Sequence, residues 1–142
     1  MISHSMLEAD SDKQREAAFV KYAKQAGIEH EIKYIIWQGN SRQQLEAYKD
    51  KWFNIGQNTG IICVNDMAAM AVKSITGNRF KVYGIDGIDE AIAAGITTVK
   101  QPFAEMAQKA IELLCRQQKL AEKWVSKRVT IKGELIIGDE NE

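Results

Sequence analysis

The stretch GIICVNDMAAMAVKSI, residues 60–75, changes character at its centre. Residues 60–64 form a short apolar run, which is expected of a strand buried on both faces of a parallel sheet. The following residues, Met67 to Ile75, have a helical pattern, and Asn65 before them is a favoured helix N-cap. A buried strand that leads through a polar junction into a helix indicates an α/β domain.

The same alternation of strand and helix recurs about five times along the chain. The sequence predicts helices over 11–27, 40–53, 65–77, 88–95 and 102–116, strands over 31–37, 60–64, 79–86 and 96–100, and a β-rich end over 127–139. Ser11 and Gln14 form a candidate capping box for the first helix. We therefore expect a three-layer α/β/α fold with a mostly parallel sheet covered by helices.

Composition limits the possible functions. The 142 residues suit one domain, and 45% apolar with 27% charged residues suits a folded core. The net charge of zero argues against direct contact with nucleic acid. No run approaches the ~20 apolar residues of a membrane span, and the N-terminus lacks the features of a secretory signal, so a cytoplasmic location is expected. Cys63 and Cys115 are predicted to be reduced thiols in the core.

The ends of the predicted strands carry the candidate site, because ligands of open α/β sheets bind outside the carboxyl ends of the strands. Carboxylates and amides can hydrogen-bond vicinal hydroxyl groups, an indole can stack on a sugar ring, and a guanidinium adds donors of fixed geometry. This combination favours a polyhydroxylated ligand. The candidate residues at the strand ends, with one from the first helix, are Arg15, Trp37, Asn65, Asp66, Asp86 and Gln101.

Each of these residues also has a purely structural interpretation. Asn65 could only cap a helix, Asp86 could form a simple turn, Trp37 could belong to the core, and Gln101 could be a solvated loop residue. An enzyme using Asp66 and Asp86 as an acid–base pair is a further alternative. No nucleophile motif, phosphate-binding loop or metal-ligand spacing accompanies that pair, so we predict no catalysis, no cofactor and no metal.

Five motifs resemble, in order and spacing, the C-terminal part of the effector-binding core of lac-repressor-family transcription regulators. That core shares its fold with the type I periplasmic sugar-binding proteins. The motifs are REAAF (15–19), CVNDMAAMAV (63–72), VYGIDG (82–87), ITTVKQPFAEMAQKAIELL (96–114) and RVTIKGELIIGD (128–139).

The resemblance implies a role for each candidate residue. It implies effector contacts at Arg15, Asn65, Asp86 and Gln101 and a stacking aromatic ring at Trp37. Asp66, which follows the ligand-contacting asparagine in the family, is implied to be structural. The implied effector is a small molecule of the sugar class.

The resemblance also implies an organisation for the whole protein. Residues 1–142 would form a single subdomain, the C-terminal lobe, with the DNA-binding helix-turn-helix and the N-terminal lobe absent from the chain. The helix 102–116 would then lack its usual partner, so we expect a homodimer, a swapped helix, or a helix folded back on its own lobe. The alternative function is the solute-binding component of a sugar ABC transporter.

Overall fold

A computed structural model describes residues 1–4, 10–36, 40–56 and 58–138 of the chain. Strands and helices alternate through most of it, as the sequence predicts. The elements are β1 (Ile2–His4), α1 (Asp10–Gln25), β2 (Lys33–Ile35), α2 (Ser41–Trp52), β3 (Gly60–Ile62), α3 (Asp66–Thr76), β4 (Lys81–Asp86), α4 (Asp89–Ala93), β5 (Thr97–Lys100), α5 (Phe103–Leu120) and β6 (Glu134–Ile136).

The strands form a mostly parallel sheet in the order β2-β1-β3-β4-β5-β6. β1 pairs with β2, β3 with β4 and β4 with β5, all in parallel, whereas β6 pairs antiparallel with β5. A parallel bridge between Ile2 and Cys63 joins the β1–β2 pair to the other four strands. The chain thus runs outward from β1 to β2 and returns past β1 to β3, so the strand order reverses between β1 and β3.

The helices cover the sheet in the way expected for parallel connections. Such crossovers are almost always right-handed, and this rule assigns α1 to one face and α2, α3 and α4 to the other. Consistent with that assignment, α3 contacts α2, α4 and β4, and α1 contacts β1. The predicted α/β fold with a mostly parallel sheet is confirmed.

Helix α3 supplies much of the core. Asn65 caps its start through a hydrogen bond from Ala68 N to Oδ1 (2.9 Å), and Gly77, with φ of 58°, ends it in a conformation that favours glycine. Its small and branched residues let it pack closely on the sheet. The buried apolar residues of the fold include Ile2, Ile35, Leu45, Phe53, Ile61, Cys63, Ala68, Ala69, Val72, Phe80, Val82 and Ile96.

Several local predictions are wrong. Helix α1 begins at Asp10, so Ser11 lies inside the helix and does not cap it. Cys115 is exposed, whereas Cys63 is buried as predicted. Helix α5 contains no buried residue, which excludes a helix folded back onto this lobe. Within residues 127–138, the described part of the predicted β-rich end, the regular strand is limited to the three residues of β6.

Candidate functional site

The candidate site lies where the strand order reverses. β1 ends at His4, and beside it the chain leaves β3 through Val64 and Asn65. The backbone amide of Val64 donates to the carbonyl of Ile2 (2.9 Å), which holds the two strands together there. In open α/β sheets this reversal leaves a crevice outside the carboxyl ends of the strands, where ligands bind.

Arg15 reaches this crevice from the second turn of α1. Its Nη1 donates to the backbone carbonyl of Val64 at 2.9 Å, so the guanidinium is fixed against the end of β3. Its Nη2 lies 3.7 Å from Oδ1 of Asp86, at the end of β4. The structure therefore brings together two residues that are 71 positions apart and that the sequence places at the same edge of the sheet.

Gln101 joins the same cluster from the end of β5. Its Nε2 donates to Oδ1 of Asp86 at 2.7 Å, and its backbone amide donates to the carbonyl of Asp86 at 3.1 Å. Burial raises the pKa of the Asp86 carboxyl, and the nearby Arg15 and the Gln101 hydrogen bond partly offset that rise. Arg15 and Asp86 remain partly exposed, with 26% and 29% of their side chains accessible, so a ligand can reach both.

Asp86 also has an unusual backbone conformation. Its φ of 130° is one that residues with a side chain rarely adopt, and Gly87 follows it with φ of 74°. Such a conformation costs on the order of 1–3 kcal/mol and persists where surrounding contacts fix it. Because strained residues concentrate at functional sites, this conformation supports Asp86 as a candidate site residue.

Asn65 has the capping role, one of the two roles between which the sequence cannot choose. Its Oδ1 accepts the capping bond from Ala68 N, and its backbone carbonyl accepts a bond from Ala69 N. Within the part of the chain that the structure describes, the capping bond is the one side-chain hydrogen bond of Asn65. Helix capping thus occupies the amide oxygen of Asn65.

Asp66 is fully buried, in contrast to its neighbour. Its Oδ2 accepts hydrogen bonds from the backbone amides of Gly87 (2.7 Å) and Ile88 (2.9 Å), and its Oδ1 accepts one from the hydroxyl of Thr98 (2.6 Å). A Cβ atom at Gly84 would lie 2.1 Å from Oδ1 of Asp66, so the close approach of β4 requires glycine. These contacts tie the start of α3 to the turn after β4 and to β5.

Two further residues extend the cluster, and sequence reasoning missed both as site residues. Asp12 Oδ1 lies 3.6 Å from Nη1 of Arg15, and Asp12 Oδ2 lies 3.2 Å from Nδ1 of His4. Both His4 and Asp12 are buried. An aspartate in the first turn of a helix is ordinarily explained by the helix dipole, and an isolated histidine carries no motif, so neither residue stands out in the sequence.

Trp37 lies outside the described residues, so its stacking role stays a prediction. Among the residues that the structure describes, no group of three or more histidine, cysteine, aspartate or glutamate side chains could hold a metal ion. No helix in the described ranges is long and apolar enough to cross a membrane.

Comparison with known proteins relates this geometry to a family. The family of periplasmic binding protein-like domains matches residues 2–139. A sucrose operon repressor from Lactococcus lactis subsp. lactis is 33% identical over 63 residues, which cover 41% of this chain and 20% of the repressor.

Solved structures share the fold at low sequence identity. A LacI family transcriptional regulator from Arthrobacter sp. FB24, in complex with lactose, is similar with a TM-score of 0.76 and 20% identity, over 99% of this chain and 57% of the regulator. A probable transcription regulator from Thermus thermophilus is similar with a TM-score of 0.75 and 22% identity, over 96% of this chain and 57% of that protein. The chain thus spans little more than half the length of these regulators.

Proposed function

Since the chain belongs to the family of periplasmic binding protein-like domains, we propose that it is the ligand-sensing lobe of a lac-repressor-type transcription regulator. The predicted resemblance to that group is confirmed by the family match and by the regulators that share the fold. The observation that carries the proposal is the convergence of Arg15, Asp86 and Gln101 at the strand reversal, where Arg15 contacts the carbonyl of Val64, the residue before Asn65.

The proposed ligand is a small sugar. Asp86 can accept hydrogen bonds from vicinal hydroxyl groups, while the amides of Asn65 and Gln101 and the guanidinium of Arg15 offer donors. Trp37 is proposed to stack on the apolar face of the sugar ring. Support also comes from the sucrose operon repressor and the lactose complex among the similar proteins.

The proposed mechanism needs a second lobe, which would supply the opposite wall of the cleft. A sugar bound between two lobes favours the arrangement in which both lobes contact it, and this shift in population changes how a linked DNA-binding domain lies on its operator. This chain would act without catalysis, in the cytoplasm, and without touching DNA itself. That last point is supported by its net charge of zero.

The alternative, a solute-binding component of a sugar transporter, rests on the same fold. The coding sequence around this chain separates the two functions. A helix-turn-helix upstream would favour the regulator, and a secretory signal would favour the transporter.

A sugar titration of the chain tests the proposed site. With half of the cleft contacts, we expect dissociation constants of about 1 mM or weaker for sucrose or lactose, measured by NMR chemical-shift changes centred on Arg15 and Asp86. Arg15→Ala should abolish the changes, while Arg42→Ala, at an exposed position of α2, should leave them intact. Shifts that are equal in both variants would place binding elsewhere and refute the site.

Helix α5 supports the proposal of a homodimer. Its apolar side chains are exposed, with Phe103 58% and Ile111 63% accessible, and such patches usually mark an interface. Light scattering should show a dimer that Ile111→Glu converts to a monomer. A monomeric wild-type chain would refute this part of the proposal.

A further inference from the structure

The charge of Arg15 is already offset within the site. Its guanidinium lies between two carboxylates, 3.6 Å from Oδ1 of Asp12 and 3.7 Å from Oδ1 of Asp86. Its Nη1 also donates to the carbonyl of Val64. An arginine that binds an anionic ligand is expected to have free donors and no excess of negative charge around its guanidinium, unlike Arg15.

Asp12 is buried, whereas Asp86 is partly exposed. Asp12 is 6% accessible, and its second oxygen lies 3.2 Å from Nδ1 of the buried His4. The Ser11 hydroxyl lies 3.5 Å from its first oxygen. The Asp12 carboxylate is therefore fixed between β1 and Arg15, on the protein side of the guanidinium.

We propose that Asp12 is a built-in counter-ion for Arg15, positioned by His4, and that it makes this site selective for an uncharged ligand over an anionic one. This inference rests on the proposed function of the site and adds the charge class of the ligand.

The distribution of charge supports this selectivity. Two carboxylates, those of Asp12 and Asp86, flank the guanidinium of Arg15. An anion beside Arg15 would therefore meet more repulsion than attraction, and this cost is large where solvent access is restricted. Hydroxyl groups meet no such cost, because they can accept from Arg15 and donate to Asp86.

NMR titration of the full chain tests the inference with two matched probes. Glucose and glucuronate differ only in a hydroxymethyl group against a carboxylate, and inorganic phosphate serves as a simple anion. In the wild type, glucose should shift the resonances of Arg15 and Asp86 at lower concentration than glucuronate, and phosphate should leave them unchanged. In Asp12→Asn, the affinity for both anions at Arg15 should rise roughly tenfold, the scale expected for one nearby unit charge in a partly screened site.

Asp10→Asn is the matched control, because it removes the same charge from the first turn of the same helix at an exposed position. It should leave anion binding at the wild-type level. Stronger binding of glucuronate than of glucose by the wild type, or equal phosphate binding in the two variants, would overturn the inference.

The phosphate arm separates this inference from the proposed function. If neither sugar binds, the sugar-sensing proposal fails, and the gain of phosphate binding in Asp12→Asn over Asp10→Asn still decides the role of Asp12. If Asp12→Asn does not fold, Asp86→Asn takes its place, because it also leaves Arg15 with one carboxylate. The same gain in phosphate binding is then expected, and its absence would refute the counter-ion role.

Discussion

Replacement of Asp66 by alanine should cost more stability than removal of any other single carboxylate among the residues that the structure describes. The side chain is fully buried and accepts hydrogen bonds from Gly87 N, Ile88 N and the Thr98 hydroxyl. Hydrogen bonds to a charged group contribute about 1.5–3 kcal/mol each. Because the Gly87 amide also lies 3.2 Å from Thr98 Oγ1 and keeps that partner, we expect a net loss of about 3–5 kcal/mol.

Asp66→Asn provides the graded comparison. The asparagine oxygen can still accept from Gly87 and Ile88, and the Thr98 hydroxyl can rotate to accept from the new amide nitrogen. The variant then loses the charge and the bond donated by the Thr98 hydroxyl, but it keeps an acceptor for both backbone amides, so its cost should be about 1–3 kcal/mol. This order, alanine worse than asparagine, follows from the donors around Asp66 rather than from side-chain volume.

Urea unfolding followed by circular dichroism measures both variants against the wild type. Asp50→Ala, at an exposed position of α2, is the control and should change the free energy of unfolding by less than about 0.5 kcal/mol. A loss below about 1 kcal/mol for Asp66→Ala would show that the three hydrogen bonds do not stabilise this fold as reasoned.

Three other changes test the surroundings of the site. Gly84→Ala should lower the free energy of unfolding by about 2–4 kcal/mol, because the new methyl group would lie 2.1 Å from Asp66 Oδ1. The control is Gly56→Ala, which has open space around it and should be nearly neutral in the same urea assay. Burial raises the pKa of Asp86 above its ordinary 3.8, so the folded state binds that proton more tightly than the unfolded state. The stability that Asp86 contributes should therefore fall as pH rises from 3.8 through the raised pKa, and Asp86→Asn should lack this decline; equal slopes in the two proteins would contradict the assignment. Gln101→Ala should raise the pKa of Asp86 further, because it removes a donor to the charged form. A pKa of Asp86 that is unchanged or lower in this variant, measured by carboxyl carbon NMR, would contradict the role of the hydrogen bond.

The sequence is informative where a rule of topology applies to it. Alternation of strand and helix predicts a parallel sheet, and parallel strands place their carboxyl ends at one edge, which is why Arg15, Asp86 and Gln101 could be predicted to converge. Sequence patterns do not predict contacts that depend on how helices and strands pack against each other. The bond between Asp66 and Thr98 joins residues 32 positions apart, and no local pattern distinguishes Asp66 from a simple helix-capping acid.

The predictions that failed have related causes. The spacing of Ser11 and Gln14 fits a capping box, but helix boundaries inferred from pattern are uncertain by a few residues, and α1 begins at Asp10. Hydrophobic periodicity predicts correctly that α5 is a helix with an apolar stripe. Periodicity cannot say what covers the stripe, because that depends on surfaces elsewhere on the same chain or on another molecule.

The buried carboxylate of Asp66 stabilises the strained backbone of Asp86. Asp86 adopts a φ of 130°, and the two amides that follow it in the chain, those of Gly87 and Ile88, are both held by Asp66 Oδ2. The folded core thus fixes the conformation that directs the Asp86 carboxylate toward Arg15 before any ligand arrives. A site ordered in advance loses little conformational entropy on binding. In the proposed sensor, the ligand would therefore change the relation between two lobes rather than the shape of this one.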